Sequence, residues 1–225
     1  MSIAGQSTSG DTGRLRAGAM KMLATIDDLI AYSHRLASGL PDLRGSIVID
    51  RPGCSEAEIA ALVKALPDLQ DSYTSVAKNV KLDGVAIGYF QLSPGCRGNG
   101  LVEKLVVSND PLSTPMASRC QAHDAYLVAS WEADAVAVAH AATTFNIGQV
   151  VKYNIGNPMA RPTVLADDFE HFLLIAGTLD EIRDKHGDDP AEAVGKFSAY
   201  LTPIVVGRKD DMAATWKMIA EVVLS

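Results

Sequence analysis

Five histidines and three cysteines are the residues of this 225-residue chain best suited to metal or nucleophile chemistry. His34, His123, His140, His171 and His186 include no pair four residues apart and no His-Glu-x-x-His, the spacing that turns two imidazoles from one helix face toward a zinc ion. His123-Asp124 has the composition of a proton relay, but adjacent residues on a strand point to opposite faces. Cys54, Cys96 and Cys120 are odd in number and widely separated, with no Cys-x-x-Cys pair; that disfavours a disulfide framework or a zinc knuckle and fits a reducing compartment. No cysteine has a local activating neighbour, no Gly-x-Ser-x-Gly elbow is present, and no carboxylate pair closes a strand in the manner of a glycosidase. The expectation is a non-enzymatic chain that needs neither metal nor cofactor.

Charge says more. The net charge is −7, and between Thr163 and Ala193 nine acids face two bases, so this one segment carries the whole excess. Asp180, Glu181, Asp184, Asp188 and Asp189 crowd the end of one helix and the turn before Pro190. Like charges four residues apart (Asp180, Asp184) repel, and acids near a helix C-terminus oppose its dipole. The cluster is poor for intrinsic stability, and these five acids are read as a surface for a partner protein with a basic face. The ordinary alternative is a solvated helix face. Nucleic acid is not expected as a direct ligand, because binding it requires a basic footprint. No apolar run approaches the length of a membrane span and no secretory signal pattern is visible, so a cytoplasmic location without membrane contact is expected. The oligomeric state is left open.

The elements that must position these residues follow from periodicity. Residues 1–20 are small, polar and Gly-rich, the composition of a flexible tail; residues 21–225 form one domain. Leu23 to Leu36 predicts a helix that stops at Gly39–Pro41, and Ser46 to Asp50 a short β-prone piece. Ser55 with Glu58 is a capping box opening a helix that ends at Leu66-Pro67, and Asp68 to Asn79 a further helix. Val85 to Leu92 reads as one mostly buried strand, Leu101 to Val107 as a weak strand or short helix, and Asn109 to Met116 as a Pro-rich loop. Tyr126–Ser130, Ala135–Ala139 and Gln149–Tyr153 are three short strands whose even spacing suggests an antiparallel meander. After Leu165 the pattern is helical: Asp167–Ala176, Leu179–Lys185, Pro190–Tyr200 and Asp210–Leu224. Asp167 is the expected N-cap, with Glu170 completing a capping box. Phe169, Phe172, Leu173 and Ala176 fall on one apolar face. Trp131 and Trp216 are expected as core anchors.

Two resemblances attach to these motifs. The run from Gly148 to Ile182, in which a strand and a Gly/Asn/Pro loop lead into Leu165-Ala-Asp-Asp-Phe-Glu-His-Phe-Leu174, resembles the C-terminal signature of the SUKH superfamily. Gly53-Cys-Ser-Glu-Ala-Glu-Ile59 through Leu66-Pro67 and Tyr73 is similar to that family's opening pattern. Asn79–Gly84, Gly88–Leu92, Ser130-Trp131 and Ala135–Val138 match its middle, although Asn79 and Gly84 are separated here where the family has them adjacent. The resemblance covers about residues 53–183. It implies an α+β fold with a central antiparallel sheet flanked by helices, and an immunity role in which the chain binds and neutralises a cognate secreted toxin. An intracellular regulatory scaffold, as in the superfamily's eukaryotic members, is the related alternative. Separately, Leu92-Ser-Pro-Gly-Cys-Arg-Gly-Asn-Gly-Leu101 looks like the acyl-CoA-binding turn of GNAT-type acetyltransferases, with Arg97 and Gly100 in place. Val102 departs from that pattern, since a small residue is required where the phosphate approaches.

Overall fold

The computed structural model describes residues 22–225; the tail expected over residues 1–20 lies outside the described residues. Helix α1 (Ile26–Gly39) opens on a capping box between Thr25 and Asp28, and a tight turn over Pro41–Leu43 leads into the single-turn helix α2 (Arg44–Ile47). The β-prone piece expected over 46–50 is therefore not a strand. The Ile49 amide donates to the Ser33 hydroxyl at 3.0 Å, so α1 satisfies the group that a neighbouring strand would otherwise have bound. Helix α3 (Glu56–Ala65) starts at the Ser55–Glu58 capping box, and α4 (Asp71–Asn79) follows. Gly53 lies where any side chain would overlap the carbonyl oxygens of Ala77 and Val80. Only glycine lets this loop close onto the end of α4, where the Cys54 amide reaches the Ala77 carbonyl at 2.7 Å.

The single strand expected from Val85 to Leu92 is a tight hairpin, β1 (Ala86–Ile87) and β2 (Phe90–Gln91). Gly88, at φ +55, takes the left-handed conformation that reverses the chain. Helix α5 (Leu101–Ser108) settles the ambiguity over 101–107. Helix α6 (Pro115–Gln121), capped by Thr114, grows out of the run read as a Pro-rich loop. The strands β3 (Ala125–Trp131), β4 (Asp134–Ala139) and β5 (Val150–Tyr153) form the expected meander. A strand β6 (Thr163–Ala166) extends it, so that β1 to β6 lie in chain order in one antiparallel sheet. The chain is thus an α+β fold with a central antiparallel sheet and flanking helices.

Helix α7 (Phe169–His186) is continuous, where two shorter helices were expected. Its N-cap is Asp168, whose carboxylate accepts the His171 amide at 2.8 Å. Asp167, the expected cap, binds Arg208 and Gln149 instead. Helices α8 (Pro190–Val205) and α9 (Met212–Val223) complete the described chain. Phe169, Phe172 and Leu173 are wholly buried. The Phe172 ring meets Phe90 edge-on at 5.1 Å, and Trp216 anchors α9 by donating its indole N–H to the Leu165 carbonyl at 2.6 Å. Among the described residues no helix is long and apolar enough to cross a membrane.

Candidate functional site

Two regions bear on function: the acidic end of α7, which the charge pattern singled out, and an apolar cleft beside β3, which it did not.

Two of the five acids face inward. Asp180 is 3% exposed and Glu181 2%, because α7 is buried on nearly every side down to Ile182. The Tyr32 hydroxyl of α1 donates to Asp180 at 3.0 Å, and Arg183 pairs with the other carboxylate oxygen at 2.6 Å. The Arg183 guanidinium also lies over the Tyr89 ring at 5.3 Å, which ties α7 to the β1–β2 hairpin. Glu181 collects Arg35 of α1 at 2.6 Å and Lys185 at 2.7 Å. Burial pushes the Asp180 carboxyl above its usual range even though Arg183 opposes the shift. The reading of Asp180 and Glu181 as partner-binding residues is therefore corrected: both fasten α1 to α7, and Asp180 with Arg183 also holds the hairpin. Gly177 makes the close approach of α1 possible, since a methyl there would run into Leu29 and Leu23.

Asp184, Asp188 and Asp189 are exposed. Asp189 caps α8 by accepting the Glu192 amide at 3.0 Å. The neighbouring bases Arg35, Arg183 and Lys185 are engaged by the two buried acids, and among the described residues no cation pairs with Asp184 or Asp188. The corner between α7 and α8 thus shows solvent an uncompensated negative charge.

The second region is a cleft of about 550 Å³. It forms where β2 stops after two residues and leaves the outer edge of β3 without a strand. Asn109 takes that strand's place: its side-chain carbonyl accepts the Leu127 amide at 2.7 Å and its NH₂ donates to the Leu127 carbonyl at 2.8 Å. Leu127, Ala129 and Ala135 from β3 and β4 line the cleft, together with Pro94, Met116, Ile155 and Pro158. Exposed Ile155 and Met159, in the β5–β6 loop, add apolar surface beside it. The polar groups among its lining residues include Arg119 and Asp134. Asp134 is neutralised by Lys152 at 2.7 Å, and Lys152 in turn lies over the Trp131 ring at 5.0 Å. Arg119 reaches from α6 to the carbonyls of Asn154 and Ala160 at 2.7 and 2.6 Å, with the Tyr153 ring 5.5 Å away.

The Arg97–Gly100 turn precedes α5, with Gly100 as its N-cap at φ +95. Glu103 folds back on this turn and accepts the Asn99 amide at 2.7 Å. A carboxylate of the chain itself therefore occupies the helix start where a pyrophosphate would need free N–H groups. His123 and Asp124, the composition of a relay, separate: Asp124 accepts the Thr143 hydroxyl, while the His123 ring packs near Tyr153 and Phe145. Among the described residues no cluster of His, Cys, Asp and Glu could hold a metal ion. All three cysteines are free.

No family model matches the chain, and neither the curated proteins nor the solved structures hold a match to it.

Two local sequence signals mark the hairpin and helix α6. A glycine inside a strand pattern, as at Gly88, marks a bulge or reversal. Thr114-Pro115 is a helix start, a capping residue followed by Pro at the first position. The cleft itself has no sequence signal, because small alanines line it and its Arg119 is held by backbone carbonyls.

Proposed function

We propose that this chain is a non-catalytic binding protein of the immunity kind, which captures a secreted toxin bearing a basic face and blocks it inside the cytoplasm. The observation that supports this reading most is the position of the SUKH-like motifs, each of which does a distinct structural job in one sheet-and-helix body. Gly53 closes the loop onto α4, Leu66 ends α3, Tyr73 is wholly buried with its ring 4.6 Å from Phe169, and Ala135 to Val138 form the middle of β4. The α7–α8 corner adds a charge argument. A basic toxin surface would be drawn to Asp184 and Asp188, whose neighbouring bases are engaged elsewhere, and long-range attraction of that kind raises association rates.

The test is a binding and neutralisation assay against secreted toxin domains with a basic face, beginning with any that a gene adjacent to this one encodes. Tight one-to-one binding that abolishes the toxin's activity supports the reading. Failure to bind or to protect would favour the scaffold alternative or dismiss both.

A further inference from the structure

The apolar cleft beside β3 has an electrostatic feature that the partner-binding reading does not use. Of the two charged side chains that line it, Asp134 is neutralised by Lys152 and also accepts the Ile155 amide at 2.9 Å. Among the described residues Arg119 has no acidic partner. Its hydrogen bonds go only to two neutral carbonyls, those of Asn154 and Ala160, which engage two of the five N–H groups of a guanidinium and cancel none of its charge. A partly buried cation beside apolar walls, without a counter-ion, carries an unreturned desolvation cost. One negative charge delivered to Arg119 would offset that cost.

The surroundings set the remaining chemistry. A volume of about 550 Å³ lies within the range of small-molecule sites, roughly 300–1,000 Å³. Met116, Leu127, Ala135 and Ile155 offer an aliphatic lining with room for a chain, and the uncharged polar side chains among the lining residues are Ser108, Thr114, Ser130 and Cys96. The site is pre-formed: Asn109 holds β3 through both of its side-chain groups, and the two carbonyls hold Arg119, so little ordering is left for a ligand to bring about. We infer that the cleft binds a free medium-chain monocarboxylate, with its alkyl chain along Leu127 and Ala135 and its carboxylate paired with the Arg119 guanidinium. A carboxylate suits a guanidinium because the two planar groups share parallel hydrogen bonds. The single unpaired cation favours a monoanion over a phosphate. This inference is independent of the toxin-binding reading and stands or falls separately.

Calorimetry on the full chain with octanoate, octanol and butanoate tests it. Octanoate should bind about tenfold or more tightly than octanol, which has the same chain and no charge, and than butanoate, which has the same charge and little chain. Arg119→Gln should bring octanoate to the octanol level and leave octanol unchanged. Gly95→Leu is the second variant, in case loss of the two carbonyl contacts unfolds the first. Gly95 lines the cleft and a Cβ there meets open space, so this change should weaken octanoate about tenfold or more with an unaltered melting temperature. The inference is overturned if octanoate shows no binding at millimolar concentration, if octanol matches it, or if Gly95→Leu leaves octanoate affinity unchanged.

Discussion

At the end of α7, two buried carboxylates are met by bases that reach in from the surface; at the cleft, a half-buried arginine among apolar residues meets only neutral carbonyls. Asp180 and Glu181 collect Tyr32, Arg35, Arg183 and Lys185, and the outcome is attachment of α1 and the β1–β2 hairpin to α7. Arg119 is held by neutral carbonyls instead, and the outcome is a fixed charge with no acid opposite it among the described residues. The difference teaches that a cluster of like charges in a sequence is not yet a surface. What matters is which of its members the rest of the fold neutralises. In the α7 cluster the inner pair are structural, and only Asp184, Asp188 and Asp189 face solvent.

The comparison can be broken most severely at the helix that carries the acids. Phe172→Ala should destabilise the chain by about 3–5 kcal/mol, as expected for a fully buried aromatic ring in a well-packed core. Urea titration measures it, and an unchanged midpoint would mean that α7 does not sit against Phe90 and Trp216. Asp180→Ala should cost about 1–3 kcal/mol, because it leaves the buried Tyr32 hydroxyl without its acceptor. Asp184→Ala, one turn further on, should stay within about 0.5 kcal/mol. Equal losses at the two positions would erase the distinction between inner and outer acids.

A pH series sharpens the same contrast. The Asp180 carboxyl titrates above its unfolded value of 3.8 in the folded chain because burial disfavours its charge. In the window from 3.8 up to that raised value the folded state binds more protons, so this group's contribution to stability declines as pH rises. Asp167, at the other end of α7, is shifted downward chiefly by its hydrogen bond from Arg208. Its contribution is present above 3.8 and is lost as pH falls through the lowered folded value. Asp180→Asn should therefore gain on the unmodified chain as pH rises through the first window. Asp167→Asn should lose ground as pH rises through the second, below 3.8. Denaturant midpoints measured across acid pH distinguish the two, and slopes of the same sign would contradict the burial of Asp180.

Local patterns were legible wherever their partners are near in sequence. The Ser55–Glu58 capping box, the three central strands and the Phe169, Phe172, Leu173 face all follow from spacing alone, and all occur. The inner acids were not legible, because Tyr32 and Arg35 that cover them come from 148 and 146 residues earlier. The exact cap of α7 slipped by one residue because Asp167 and Asp168 are equally good capping residues. The distant Arg208 and Gln149 decide between them, by drawing Asp167 away. Strand β6 was hidden by its length, since Thr-Val-Leu-Ala beside a helix start has no period of its own. The cleft depends on α6, which the prolines and polar residues of 109–116 disguised, and on alanines of β3 and β4 that look alike whether they line a cleft or a packed interior.

The most direct test of the proposed function is the association rate with a toxin that the chain neutralises, measured at low and high salt for the unmodified chain and for Asp184→Lys/Asp188→Lys. Among the described residues neither acid has a cation to lose, so the double variant should keep its melting temperature. If the exposed acids steer the partner, association should be slower by about tenfold at low salt, and the two proteins should converge as salt screens the charge. Identical rates at low salt would contradict the account and remove the α7–α8 corner as the docking surface.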